Sequence, residues 1–329
     1  MVQRKNPRHG SMQYWPRKRA KRVLARVRHW PLQNEPNLSG FIAYKVGMCH
    51  VMAKDTSKLS LTKGETLSVP TTILECPPVR IAAARIYSFD ELGNRIVSED
   101  IVLSSDKIIK NAGFKPTSKP SLSSNLQKLK QISSDSQNIA EIRVVIFSNA
   151  QKGFLSRKTP LFLETAIAKD VQSAIDFISN NIDKDIRISD VFKEGTYVDV
   201  RGITKGKGFS GPVKRFGISL RSHKSEKTKR GPGSLGPWTA RNAVMYRVAH
   251  AGQLGFFQRT EYNKAVLKIG SDAQQINRKG GFHKYGIVKH DYILLKGSVQ
   301  GSAKRPIVLS VPVRAPSKKP NLEVKEIIL

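Results

Sequence analysis

The residues whose spacing first suggests chemistry are glycines. Gly206-Lys207-Gly208-Phe209-Ser210-Gly211 reads G-x-G-x-x-G, and Val213 extends it to the G-x-G-x-x-G-x-V of a kinase glycine loop. Such loops hold phosphate with backbone N–H groups and a helix N-terminus. A dinucleotide fold needs a strand before the glycines and a helix beginning within them. Tyr197–Ile203 supplies the strand. Pro212 follows the third glycine, however, and no amphipathic period comes after it, so no helix is expected there. A kinase would need a downstream H-R-D-x-x-x-x-N and a D-F-G. The nearest approach is His290-Asp291, with Lys296 where the Asn should stand, and only 118 residues follow Gly211. Neither nucleotide reading survives.

What remains is a cationic, glycine-rich segment. Gly202, Gly206, Gly208 and Gly211 alternate with Lys205, Lys207, Lys214 and Arg215. Glycine permits positive φ and close approach of another backbone. The pattern therefore predicts a tight cationic loop that presses against a sugar-phosphate chain.

Other chemistry is thin. Cys49 and Cys76 are too few for a zinc site and read as reduced, partly buried thiols. The seven histidines are scattered: His9 and His29 near the N-terminus, His223 further on, and His50, His250, His283 and His290 near expected strands. The last four read as packed or RNA-facing side chains rather than acid–base catalysts. Asp199, a lone carboxylate beside Arg201, reads as a local structural partner. No catalytic residues, cofactor site or metal site are assigned.

The charge is the strongest signal. The 329 residues carry 57 Lys and Arg against 25 Asp and Glu, a net +32. A field of that size calls for a polyanionic partner. The charge is also uneven. Residues 1–30 hold ten basic residues and no acid, and 201–260 hold thirteen with Glu226 as the one acid. Residues 31–200 are nearly balanced, with 21 basic and 19 acidic. Acid-free stretches read as arms that take shape only against phosphate. No apolar run is long enough for a membrane span. The N-terminus, Arg-rich but poor in Ser and broken by Pro7 and Pro16, does not fit an organellar transit peptide.

The elements that must carry these arms are strands. Phe41–Ala53, Thr71–Phe89, Glu141–Ser148, Thr196–Thr204, Ala265–Gly270 and Asp291–Val299 are rich in β-branched and aromatic residues and bounded by Gly, Pro or Asp. That is the pattern of a barrel or sandwich. A helix is predicted near 170–182, where Val171, Ala174, Ile175 and Ile178 share one face and Asp170 is available as a cap. A second is predicted around Leu126 and Leu129. Together they suggest a mainly β fold with an α/β insert, and Lys115–Ser124 as a loop.

One wider pattern joins these parts: Phe192, Asp199, Gly202, Thr204, Gly206-Lys207-Gly208, Gly211 and Arg215 at fixed gaps. It resembles the signature of the universal third protein of the large ribosomal subunit, the ribosomal protein "L three" family. "RHGSMQYWPRKRAKR", "GFIAYKVGMCHV", the stretch from "GSLGPW" to "KIG" and the closing "GGFHKYGIVKHDYILLKGSVQGSAKRPIVL" resemble it too. The likeness touches nearly the whole chain, is weakest over 90–140, and is of the archaeal type.

The resemblance implies a closed Greek-key β-barrel like that of translation elongation factors. Its parts would be a basic N-terminal extension over 1–37, barrel segments over 38–89 and 186–310, an α/β insert over 90–185 and a C-terminal tail over 311–329. A basic finger loop over 215–262 would project into large-subunit ribosomal RNA. The RNA-binding residues it implies are Arg17, Lys18, Arg19, Lys21 and Arg22 in the extension. To these it adds Lys205, Lys207, Gly208, Lys214, Arg215, Arg221, Lys224, Lys229, Arg230, Trp238 and Arg241. Gly236, Pro237 and Trp238 would form the fingertip near the peptidyl transferase centre and the aminoacyl-tRNA corridor. Eukaryotic members carry a methylatable His after that Trp; here it is Thr239, so the modification does not transfer.

The expected partners are large-subunit ribosomal RNA and neighbouring ribosomal proteins. No membrane, small-molecule substrate or homo-oligomer is expected, and the location is cytoplasmic. The expected role is structural, with early subunit assembly and no enzymatic activity. An RNA-modifying enzyme with basic arms is the alternative. A DNA-binding architectural protein would not explain charge confined to an arm and a loop.

Overall fold

The computed structural model describes residues 8–31, 33–57, 60–104, 125, 127–129, 131, 139–148, 161–224, 227–236, 244–318 and 321–329. The fold is mainly β, as the strand pattern predicts. It divides into two compact units, Leu24–Gly202 with Thr260–Leu329, and Met1–Val23 with Ile203–Arg259.

In the larger unit the long first strand β1, Gly40–Asp55, organises the main sheet. Its N-terminal residues are apolar and buried, while His50 further along is exposed between buried Cys49 and Val51. That half thus alternates as a strand with one wet face does. The sheet adds β2 (Thr66–Glu75), β7 (Tyr197–Ile203), β10 (Gln258–Gly270), β11 (Tyr292–Lys296), β12 (Pro306–Ser310) and β13 (Leu322–Ile328). Its order is β12-β7-β10-β11-β2-β1-β13, with a further pairing of β12 to β1. Gly40–Tyr44 face Pro306–Ser310, and His50–Asp55 face Leu322–Ile328. Six strands are thereby paired in a ring, with β13 outside it. The buried core beneath β1 and β2 gathers Val46, Val51, Ile73, Leu267, Phe282, Tyr292 and Leu294.

Thr71–Phe89, predicted as one run, is two strands in different sheets. Cys76-Pro77-Pro78 separates β2 from β3 (Val79–Phe89). Two prolines remove two ladder donors, so the first sheet cannot continue through them. β3 joins β4 (Arg95–Val102), β5 (Ile139–Ser148) and β6 (Leu161–Ala166) in a second antiparallel sheet of order β4-β3-β5-β6. The helix Val171–Asn180 lies against β5 and buries Ala174, Ile175 and Ile178, the predicted face. Asp170 sits at its N-cap, but its side chain makes no capping bond. Around Leu129 the described residues are helical, and Leu129 is buried.

The second sheet carries an ion-pair lattice. Arg143 donates to both oxygens of Glu141 at 2.8 and 2.9 Å and to Glu164 at 2.9 Å. Arg85 bridges Asp100 at 2.6 and 2.7 Å to Glu164 at 2.9 Å, and Arg95 reaches Glu141 at 2.8 Å. Tyr87 donates to Glu164 at 2.5 Å, with Arg143 over its ring at 4.5 Å. Each of these three arginines has a carboxylate.

In the smaller unit Gly206–Ser210 forms strand β8, paired with β9 (Gly252–Gly255). The expected cationic loop is therefore half of a two-stranded ribbon. A short helix, Pro212–Phe216, follows it with Gly211 as N-cap and Gly217 at φ 70° as C-cap. This corrects the expectation that Pro212 excludes a helix. Proline at the first helical position lacks only an N–H that would have no partner there, and its ring presets φ.

Candidate nucleic-acid interface

The ribbon forces its own glycines. A Cβ on Gly255 (φ 73°) would stand 2.0 Å from the carbonyl oxygen of Lys205. The two strands can meet there only without a side chain. Next to this contact, Phe256 N–H donates to the Lys205 carbonyl at 3.1 Å, Thr204 N–H to the Phe257 carbonyl at 3.0 Å, and Phe257 N–H to Thr204 Oγ1 at 3.1 Å. Thr204 and Arg215, two of the fixed-gap residues, both work inside this unit. From the short helix Arg215 reaches back to the Gln253 carbonyl at 3.1 Å and the His250 carbonyl at 2.9 Å, tying the helix to β9.

The N-terminal segment packs into the same unit. Trp15 meets the ring of Phe216 at 5.8 Å and, edge-on, that of Tyr246 at 5.5 Å. Ala20 N–H donates to the Phe256 carbonyl at 2.9 Å. These contacts give the N-terminal segment an aromatic anchor on the short helix and the residues around Tyr246. The reading from charge did not single out Trp15.

The guanidinium groups here rest on rings and carbonyls. Arg17 lies 4.3 Å over Phe216 and donates to the Arg215 carbonyl at 2.8 Å. Arg215 lies 5.0 Å from the same ring, Arg8 5.8 Å from Trp15 and Arg19 5.5 Å from Phe256. Arg259 covers Tyr14 at 4.8 Å and Phe257 at 5.2 Å. Rings attract the cation through their quadrupole and fix its plane. They do not neutralise it. Burial, and then the positive neighbours Arg215, Arg259 and Arg8, pulls Arg17 below the ordinary guanidinium value, and burial does the same to Arg215. The unit holds twenty Lys and Arg and only Glu226 to oppose them.

The expected RNA-binding residues fall into three groups. Arg17, Arg19 and Arg215 belong to the ring-and-carbonyl cluster. Lys18, Lys21, Arg22, Lys205, Lys207, Lys214, Lys224, Lys229 and Arg230 are exposed, and Arg221 is half-buried, its N–H donating to the Lys229 carbonyl at 3.1 Å. Gly208 (φ 64°) and Gly236 (φ 111°) both take left-handed backbone. Pro237, Trp238 and Arg241 lie outside the described residues. Sequence reasoning missed Arg8, Tyr14, Trp15, Phe216, Tyr246 and Arg259. The signal for several was an aromatic beside a cation in an acid-free stretch, as in Arg215-Phe216.

In the larger unit the remaining signature carboxylate is structural. Asp199 is fully buried and accepts from Asn263 N–H at 2.8 Å and Val313 N–H at 3.0 Å. Arg201, two residues on, lies 5.7 Å from the Trp30 ring. Cys49 and Cys76 are free and fully buried rather than partly so, and burial raises both thiols. A His–carboxylate pair does occur. His290 Nδ1 lies 2.8 Å from Glu75, which also accepts from the Tyr285 hydroxyl and from the N–H groups of Lys289 and His290 at 3.0 Å. Burial pushes Glu75 upward, but these donors outweigh it and hold the carboxyl below its ordinary range. A carboxylate so saturated pins its loop and has no lone pair to spare for catalysis.

The whole-chain comparison decides what this arrangement belongs to. The family model described as Ribosomal protein L3 matches residues 1–327. The chain belongs to the ribosomal protein L3 family. Archaeal relatives named "Large ribosomal subunit protein uL3" agree. That of Methanothermobacter thermautotrophicus is 38% identical over 324 residues, covering 97% of this chain and 95% of the relative. That of Methanococcoides burtonii is 41% identical, covering 96% and 94%, and that of Archaeoglobus fulgidus 39% identical, covering 94% and 92%. The L3 family is not enzymatic, which removes the RNA-modifying alternative.

Proposed function

We propose that this chain is a structural constituent of the large ribosomal subunit in the cytoplasm, where its smaller unit binds ribosomal RNA through the phosphate backbone. The observation that carries the reading is the cluster of Arg17, Arg19 and Arg215, aimed by rings and carbonyls, with no ion pair to a carboxylate among the described residues. Phosphate supplies the missing counter-charge, and Arg presents a planar fork that matches it. The exposed Lys205, Lys207, Lys214, Lys224, Lys229 and Arg230 add point charges along the same segment. Release of condensed counter-ions then drives binding and makes it steeply salt-dependent.

On this reading the strand ring is the closed Greek-key barrel of the translation type, supported by the β1–β12 pairing. The segment over 215–262 is a finger bearing Trp238 at its tip with Gly236 and Pro237, directed toward the peptidyl transferase centre and the aminoacyl-tRNA corridor. The extension over 1–37 lines the RNA interior, the tail over 311–329 adds β13 to the barrel sheet, and neighbouring large-subunit proteins abut the barrel and insert. The chain joins the subunit early in assembly, as one copy and not as a homo-oligomer. Peptide-bond chemistry belongs to the RNA.

Retention of the chain on purified large subunits through a graded salt wash tests this. The expected result is retention well above physiological salt. A chain found mainly free in extracts overturns the reading. In subunits carrying Trp238→Ala, the expected result is normal incorporation with altered tRNA accommodation or drug sensitivity at the peptidyl transferase centre.

A further inference from the structure

Phe209 differs from every other phenylalanine of the smaller unit. It is 80% exposed, although it lies within a paired strand. Phe216, Phe256 and Phe257 each lie under a guanidinium group. Among the described residues no ring or guanidinium covers Phe209. An exposed Phe costs solvation free energy unless something covers it.

The local backbone directs this ring outward. In the β8–β9 ribbon Gly206 pairs with Gly255, but Phe209 pairs with Gln253, so β8 carries one extra residue between them. Gly208, at φ 64°, lies within this bulge. Bulges of this kind re-aim the side chain that follows. Space is also open at the glycines on either side: a Cβ added at Gly208 or Gly211 would meet nothing within 4 Å beyond its chain neighbours. Lys205 and Lys207, both exposed, precede Phe209 in the chain, and Lys214 follows in the short helix.

We infer that Phe209 is a stacking platform for one unpaired nucleobase, with Lys205 and Lys207 holding the adjoining phosphates. The inference rests on the RNA-binding reading above and deepens it, because it specifies single-stranded RNA at this ribbon. A flat aromatic ring offers a face that every base can stack on, while a base inside a duplex has both faces occupied. Lysines alone would not distinguish the two forms. The ring does.

The test compares the full-length chain with its Phe209→Ala and Phe209→Tyr variants on two probes. One is a single-stranded oligouridylate, whose bases are unstacked, and the other a blunt RNA duplex with the same number of phosphates. Phe209→Ala is expected to bind the oligouridylate about ten-fold or more weaker, the scale of one lost base stack, and the duplex within two-fold of the unaltered chain. Phe209→Tyr keeps the ring and is expected to restore oligouridylate binding. Loss of equal size on both probes, no loss on either, or failure of the tyrosine to restore binding overturns the stacking site while leaving phosphate binding standing. If the unaltered chain binds neither probe, the RNA-binding reading fails with it.

Discussion

In the four-stranded sheet Arg143 lies between Glu141 and Glu164, whereas in the smaller unit Arg17 lies between the ring of Phe216 and the carbonyl of Arg215. Both guanidinium groups are positioned by several contacts. Their electrostatics run in opposite directions. Burial would lower Arg143, but its hydrogen bonds to Glu141 and Glu164 more than reverse this and hold the proton tighter than in water. Arg17 is pushed down, by burial first and by its positive neighbours after it. One region spends its cations on internal cohesion. The other aligns them and leaves the field intact for an outside anion. A net charge does not distinguish these uses; the identity of each arginine's neighbour does.

The contrast can be broken from either side. The largest expected effect is on the sheet: Arg143→Ala leaves Glu141, which is 4% exposed, with Arg95 as its remaining cation and should cost about 3 kcal/mol in urea unfolding. RNA affinity of the protein that remains folded should be unchanged. A loss below about 1 kcal/mol, the scale of an exposed pair, would show that the lattice is not what holds this sheet.

In the smaller unit the triple replacement of Lys205, Lys207 and Lys214 by Gln should weaken RNA binding by roughly a hundredfold at moderate salt. It should also make the log–log salt slope shallower by about two. The melting temperature should hold or rise, because like charges are being removed. A fall in melting temperature would mean these lysines contribute to the fold as well.

Asp199→Ala sharpens the comparison from within the signature itself. It removes a fully buried carboxylate and takes the acceptor from the N–H groups of Asn263 and Val313, a loss of about 1–3 kcal/mol by chemical denaturation. The salt slope of RNA binding should not move.

The smallest effect is acid sensitivity through Glu75. Its folded value lies below its ordinary one, so its stabilising contribution is complete above the ordinary glutamate range and is lost as pH falls through the folded value. Glu75→Gln should therefore flatten the acid limb of the stability–pH curve, measured by thermal melts at falling pH. An unchanged limb would assign acid unfolding to other carboxylates, Glu164 first.

Much of this fold was legible in the chain. β-Branched runs marked β1, β5 and β7, and the spacing of Ala174, Ile175 and Ile178 marked the helix they bury. Two of the strands that went unseen, β4 and β13, turn much of their length to water. β4 reads RIVSEDIV, and its first six residues are exposed. β13 reads LEVKEII with two glutamates and a lysine, and so passed for a tail. Pro212 misled because proline breaks a helix interior yet suits a helix start, and sequence alone does not say which position it holds. The lysines of the candidate interface were legible as charge. The ring cluster was not, because Trp15, Phe216 and Tyr246 meet across some two hundred residues with no period to announce them.

The double role of β1 has a consequence for how the chain is made. Gly40–Tyr44 pair with Pro306–Ser310, and the other half of the strand with Leu322–Ile328. On a translating ribosome β1 therefore waits for β12 and β13 to be made before its hydrogen bonds are complete. Contacts of such long sequence separation form late and slowly, and an unpaired strand edge is open to wrong partners meanwhile. β2 follows closely and can cover one edge of β1 at once. The other edge stays open until residues 306–328 have emerged, so the nascent chain has the strongest need of a chaperone during that interval.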